Sequence, residues 1–170
     1  ETDYREQMIA EAKFLRAYYY FELVSMFGDV PLNLDDLAPS EYSQPRAPQA
    51  DIYAQIEADL QEAIQALPVK SGYSPRDKFR ASKGAAQALL GKAHLYQEEW
   101  GEAAGYFDDV ITSQEYGLVN DYGALFTNAE EFGEESLLEV PYTSQEQYNW
   151  GNFPWGSRSV ESNIVIQLMG

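Results

Sequence analysis

Residues 11–32 read EAKFLRAYYYFELVSMFGDVPL, and this stretch decides the fold. From Glu6 to Phe27 apolar residues recur every three or four positions, with no Gly or Pro among them, which is the period of an amphipathic helix. Gly28 and Pro31 then end the pattern, because Gly suits the left-handed position after a helix and Pro prevents its continuation. A long first helix is therefore predicted. Its predicted buried stripe consists of Met8, Ala12, Leu15, Tyr19, Leu23 and Met26.

Further aromatic residues widen the apolar surface of this helix. Phe14, Tyr18 and Phe21 lie beside the predicted stripe, so we expect the helix to be buried on more than one side. The triplet Tyr18 to Tyr20 resembles a platform for a flat ligand, but consecutive helical residues point about 100° apart and cannot share one face. We therefore expect the tyrosine triplet to pack in the core.

A second helix is predicted after a proline-rich loop over residues 29–47. Its apolar pattern begins at Pro48, since proline suits a first helical turn in which its missing N–H costs nothing. Pro68 closes the pattern. The first two helices would form a pair whose connection is stretched by the loop.

Two more helices are predicted in close succession. Ser82 is the expected N-cap of the third helix, and Gly101 separates it from a fourth that ends near Tyr116. The following residues lose this periodicity. They predict a short helical piece over 122–126 and a short strand or extended segment over 136–142.

The third and fourth helices fit the tetratricopeptide pattern, a helix–turn–helix of about 34 residues. Leu90, Gly91 and His94 fall on its first-helix spacings, with His94 in place of the usual tyrosine. Ala103 and Phe107 fall on its second-helix spacings, and Phe107 would fill the groove left by the small residues. The sequence therefore predicts an all-α fold of tetratricopeptide-like helix pairs with long irregular loops.

Composition excludes several classes of function. The chain carries 28 acidic and 11 basic residues, and its formal net charge of −17 would repel nucleic acid. The absence of cysteine excludes disulfides, thiolate nucleophiles and cysteine-based zinc sites. The sequence contains no run of about 18 apolar residues, so it predicts no membrane-spanning helix.

Enzyme signatures are also absent from the sequence. His94 is the single histidine, so no Ser-His-Asp triad and no histidine cluster for a transition metal can be assembled, and we expect His94 to pack between helices. Residues 91–93 fail the P-loop pattern, and no EF-hand pattern occurs. We therefore predict a protein without catalytic residues, metal ligands or a cofactor.

Several long blocks closely resemble the SusD/RagB family, in the order in which the family carries them. The first block is the most specific, because it joins the aromatic helix to its Gly-Asp-Val-Pro-Leu ending. The resemblance extends from about Gln7 to Tyr142. Its blocks are residues 11–21, 27–32, 52–63, 80–90, 100–103 and 135–140.

This resemblance implies a surface-exposed lipoprotein of the outer membrane in Bacteroidota-type bacteria. Members of the family bind glycans or other polymers and pass them to a SusC-like TonB-dependent transporter. They are considerably longer than this chain and start with a lipidated cysteine, so membrane contact would come only through an anchor outside this sequence. We interpret the chain as a fragment, with the tetratricopeptide-like helical part over residues 1–142 and the start of a loop-rich part over 143–170.

One aromatic segment near the end of the chain is the candidate ligand site. Sugar binding needs flat aromatic faces for C–H surfaces and amide groups for hydroxyls, and this segment supplies both. The alternative is that its aromatic rings pack a loop onto the helical core. The candidate residues are Tyr148, Asn149, Trp150, Asn152, Phe153 and Trp155.

Two other functions remain open from the residues alone. A tetratricopeptide scaffold could bind a peptide or protein in its concave groove, and exposed aromatics in that groove would favour this. A glycoside hydrolase would need two carboxyl groups across a cleft, which sequence spacing cannot show.

Arg16 and Arg80 are expected to have structural roles with buried carboxylates. Trp100 is expected to cover the ends of the second helix pair.

Overall fold

The computed structural model describes residues 2–140, in which helices are the only regular elements longer than a single bridge. The predicted all-α class is therefore confirmed. Residues 2–138 belong to one compact unit, and the four α-helices of the described part of the chain lie within it. The α-helices are α1 (Thr2–Phe27), α2 (Gln49–Ala66), α3 (Lys83–Tyr96) and α4 (Trp100–Thr112). Short 3-10 turns lie at Pro39–Glu41, Lys70–Gly72, Ala124–Phe126 and Asn128–Glu130.

Consecutive helices pack against each other in antiparallel order. Lys13 pairs with Glu62 and Arg16 with Asp59, so rising numbers on α1 meet falling numbers on α2. The same order joins α3 to α4, in which Gly91 lies against Phe107. The core lies where α1, α2 and α3 meet. Its central buried residues are Phe14, Phe21, Ile52, Ile56, Leu60 and Leu90.

Backbone signals in the sequence predicted most helix ends correctly. Gly28 follows α1 with φ +67°, the left-handed conformation that favours glycine. Ser82 caps α3, because its Oγ accepts a hydrogen bond from the backbone N–H of Ala85 at 3.2 Å. The break between α3 and α4 lies earlier than predicted, at Glu98 with φ 64°, so that Gly101 falls inside the first turn of α4.

The remaining predictions of regular structure have mixed outcomes. The proline-rich loop is closed by an antiparallel bridge between Val30 and Ala47, whose N–H donates to the Val30 carbonyl at 2.9 Å. A 3-10 turn at Ala124–Phe126 agrees with the predicted helical piece. Residues 136–140 form no strand. Within residues 2–140, none of the helices combines the length and the apolar character that a membrane crossing requires.

The predicted buried stripe of α1 is wrong, whereas Phe14 and Phe21, which were expected to widen the buried surface, are each 2% exposed. The large residues of the predicted stripe are 40–70% exposed in the described part of the chain. Because apolar residues surround most of α1, periodicity alone cannot identify the buried face, which is set by packing in the core cluster. The buried residues of α1 are Ala10, Phe14, Ala17, Phe21 and Val24.

The tyrosine triplet also departs from the predicted core role. Tyr19 is 63% exposed, and Tyr18 contacts it edge to face with ring centroids 5.5 Å apart. Tyr20 is half-buried and holds the loop after α1, since its hydroxyl accepts from the N–H of Asn33 at 2.7 Å. Only one of the three rings therefore packs against the core.

Candidate functional site

The α3–α4 pair forms the rigid platform beside which the candidate cavities lie. A side-chain carbon added at Gly91 would come within 2.8 Å of the Phe107 ring, so glycine is required for this close approach. Ala103 is 1% exposed at the same interface. The tetratricopeptide-like packing predicted from these three residues is confirmed.

A nearly buried ion pair joins α1 to α2. The Arg16 guanidinium donates to both carboxylate oxygens of Asp59, with Nε–Oδ2 at 2.7 Å and Nη2–Oδ1 at 2.6 Å. Asp59 is 1% exposed and also accepts from the Gln55 amide at 3.0 Å. This arrangement satisfies a buried carboxylate and confirms the structural role predicted for Arg16.

A second ion pair ties the segment before α3 to α1. Arg80 donates to both oxygens of Glu11 at 2.8 and 2.5 Å. Tyr73 lies beside this pair and donates from its hydroxyl to the Ala81 carbonyl at 2.7 Å. Burial, with a contribution from the Glu11 carboxylate, raises the pKa of Tyr73 to about 12. The role predicted for Arg80 is therefore structural as well.

A polar cavity of about 300 Å³ lies between the start of α3 and the end of α4. Tyr116 forms one wall, and its hydroxyl lies 2.7 Å from the Ser82 Oγ. The Lys70 ammonium lies 5.0 Å from the centre of the Tyr116 ring. Burial raises the pKa of the Tyr116 phenol, so the wall stays neutral at physiological pH. The charged and amide groups of the lining are Lys70, Lys83, Gln87, Asp109 and Glu115.

The chemistry of this cavity suits a neutral ligand rich in hydroxyl groups. Two ammonium groups and two carboxylates balance in charge, so neither an anion nor a cation is selected. Amide, ammonium and carboxylate groups supply both donors and acceptors, and the Tyr116 ring supplies an apolar edge. Its volume is at the lower end of the range for small-molecule sites, which is typical of a pocket for a single small ring.

An apolar groove of about 440 Å³ adjoins the cavity and shares Tyr116 with it. Ile111 and Leu118 form its open side and are 73% and 82% exposed. Val110 and Leu137 complete the apolar lining. This groove offers a surface for apolar contact beside the polar cavity.

The sequence-predicted residues have different outcomes in the structure. The candidate segment from Tyr148 to Trp155 lies outside the described residues. His94 is 6% exposed, is hydrogen-bonded to Glu99 and stacks on Tyr106, as expected of a helix-packing histidine. Trp100 is 61% exposed at the start of α4, and its covering role stays a prediction.

The polar cavity was not predicted from the sequence. Its lining is dispersed from Val69 to Tyr116 and follows no spacing motif. Folding brings these residues together because α3 and α4 are antiparallel. The predicted cap at Ser82 and the predicted turn at Tyr116 mark the two ends of the cavity, but nothing in the sequence joins them.

Comparisons with known proteins agree on one family. A SusD-like family model, described as "Starch-binding associating with outer membrane", matches residues 1–95. A SusD-like protein of Formosa agariphila is 27% identical over 158 residues, covering 92% of this chain and 29% of the relative. Another SusD-like protein of the same organism is 32% identical over 144 residues, covering 80% of this chain and 27% of the relative.

Solved structures give the same result. A laminarin binding SusD-like protein superposes with a TM-score of 0.83 at 40% identity, over 90% of this chain and 34% of that protein. A SusD-like carbohydrate binding protein from Bacteroides fragilis gives a TM-score of 0.81 at 32% identity, over 85% of this chain and 28% of that protein.

The chain spans 27–29% of the length of these curated relatives and 28–34% of these solved proteins. The matched family model nevertheless covers more than half of the chain, including α1, α2 and most of α3. The chain therefore belongs to the SusD-like family.

Proposed function

We propose that this chain is part of a cell-surface protein that captures oligosaccharides and passes them to a SusC-like TonB-dependent transporter. The observation that carries the proposal is its likeness to the laminarin binding SusD-like protein, with a TM-score of 0.83 and 40% identity. The matched family's description as starch-binding and associated with the outer membrane supports the proposed location. A lipid anchor outside this sequence would attach the protein to the membrane.

The proposed mechanism is binding without bond cleavage. Aromatic rings of the Tyr148 to Trp155 segment would stack on the apolar faces of sugar rings, and the amides of Asn149 and Asn152 would bind hydroxyls. The polar cavity beside Tyr116 supplies a second contact for one sugar ring. The helices α3 and α4 would hold the groups that line the cavity on a rigid support.

A tryptophan-fluorescence titration tests the proposed site, because two of the three tryptophans lie in the candidate segment. We expect laminarin or starch oligosaccharides to produce a saturable change. The Trp150→Ala and Trp155→Ala variants should bind at least roughly tenfold more weakly, since truncating an aromatic anchor costs about 2 kcal/mol. Trp100→Ala, which removes the exposed tryptophan of α4, should bind normally.

Cavity variants distinguish the two proposed contacts. Lys83→Ala and Gln87→Ala each change a residue that lines the cavity, and the sequence of the segment stays unchanged. Loss of binding in these variants, with normal binding in Trp150→Ala and Trp155→Ala, would place the ligand in the cavity and refute the assignment to the segment. If Trp100→Ala weakened the measured binding as much as Trp150→Ala and Trp155→Ala, the fluorescence change would not report on the segment.

The apolar groove favours a second candidate function, a scaffold that binds a peptide or protein. Its exposed Ile111 and Leu118 could bury the apolar side chains of a partner. A titration with a peptide mixture in place of sugars tests this alternative. Saturable peptide binding that is lost in Ile111→Ser, together with no response to any glycan, would favour the scaffold.

A further inference from the structure

Three side chains with metal-ligating atoms meet where α2, α3 and α4 come together. Glu57 lies on α2, His94 in the last turn of α3, and Glu99 directly before α4. One ligand atom from each lies within 4.8 Å of the other two. We propose that these residues form a binding site for a divalent transition-metal ion, of which Zn²⁺ is the representative.

His94 is held in a fixed position at this junction. The residue is 6% exposed, and its ring stacks on Tyr106 with an interplanar angle of 1° and centroids 5.5 Å apart. Its Nδ1 lies at hydrogen-bond distance, 2.6 Å, from Glu99 Oε2, and binding an ion would replace this hydrogen bond. A fixed imidazole is a favourable ligand, because little of its motion is lost on binding an ion.

The charges around the junction favour a cation. Glu57 accepts from the Gln97 amide at 2.7 Å, and neither Glu57 nor Glu99 forms a salt bridge with a lysine or arginine in the described part of the chain. The carboxylates of Asp59 and Glu11, by contrast, are each paired with an arginine. A divalent ion would neutralise the Glu57 and Glu99 carboxylates in a chain whose net charge is −17.

The donor set and the geometry fit zinc with small movements. Imidazole nitrogen and carboxylate oxygen are common zinc ligands at about 2.0–2.2 Å, which places ligand atoms roughly 3–4 Å apart around the ion. Glu99 is half-exposed at its side chain, so it can make the required adjustment, and its open side leaves a position for water. The ion would link α2 to the α3–α4 connection, where Glu98 has its positive φ.

The single histidine makes the test direct. Proton NMR of the untagged chain during addition of ZnCl2 reports on His94 alone, since no other imidazole is present. We expect the ring-proton signals to move and to stop moving at one ion per chain, and addition of EDTA to restore them. Imidazole signals that stay unchanged through the titration would overturn the proposal.

Acidic variants show whether the two carboxylates are ligands. In competition with a chromogenic chelator, Glu57→Gln and Glu99→Gln should each weaken zinc binding at least roughly tenfold. Glu102→Gln removes an exposed carboxylate about one turn further along the chain, in α4, and should leave zinc binding unchanged. If Glu102→Gln weakens binding as much as Glu99→Gln, the ion is bound diffusely by the acidic surface and the proposed site is wrong.

Discussion

Replacing Arg16 with alanine is expected to lower the free energy of unfolding by about 3 kcal/mol, at the lower end of the range for broken buried ion pairs. Asp59 is 1% exposed in the native chain, and the variant leaves its carboxylate with the Gln55 amide as the remaining partner among the described residues. A buried carboxylate without a counter-ion is costly. The expected loss of free energy is at the lower end of this range because the Arg16 side chain itself is 32% exposed.

Urea unfolding followed by far-UV circular dichroism measures this effect. Lys13→Ala is the matched control on the same helix, since its partner Glu62 is 63% exposed and such surface pairs contribute less than about 1 kcal/mol. Removing both charges, in Arg16→Met with Asp59→Leu, should recover most of the lost stability. Equal effects of Arg16→Ala and Lys13→Ala would contradict the structural role of the buried pair.

Phe14→Ala is expected to destabilise the chain by about 3–5 kcal/mol, because it leaves a large cavity in the hydrophobic core. Phe14 is 2% exposed and is among the largest buried side chains of the core. Leu15→Ala should cost roughly 1 kcal/mol or less, since Leu15 lies on another face of α1 and is 48% exposed.

The same unfolding measurement compares these adjacent positions directly. Both variants place alanine in the interior of α1, so their effects through helix propensity differ by less than about 0.5 kcal/mol. The opposite order, with Leu15→Ala the more damaging, would mean that the face predicted from the periodicity is the buried one and that α1 does not pack through Phe14.

Helix ends and close helix contacts could be predicted because they depend on local chemistry. Gly28 and Ser82 act through backbone conformation and capping, which any chain with these residues shares. Gly91 and Phe107 lie on spacings that a helix–turn–helix brings together. In each case the sequence itself contains the physical cause of the structure.

The buried face of α1 could not be predicted in this way. Apolar residues lie around most of the helix, so two different faces of α1 each carry apolar residues every three or four positions. The choice between them depends on packing against the rest of the core, in which Ala10 and Ala17 are buried together with Phe14. Which face of α1 is buried therefore depends on tertiary contacts and cannot be read from the helix sequence alone.

Long sequence separation limited the prediction of site residues. Arg16 and Asp59 are 43 residues apart, and Arg80 and Glu11 are 69 apart, so the roles of the arginines could be predicted but their partners could not. The polar cavity depends on the antiparallel arrangement of α3 and α4. The Tyr148 to Trp155 segment lies outside the described residues, and its role stays a prediction.

Calorimetric titration of the chain with laminarin and starch oligosaccharides tests the central claim most directly, because it detects glycan binding at any site. The account predicts saturable binding with heat release for at least one of these glucans. It also predicts that the bound sugar is recovered uncleaved. Absence of binding to every neutral glycan at millimolar concentration, by a chain that circular dichroism shows to be folded, would contradict the proposed function.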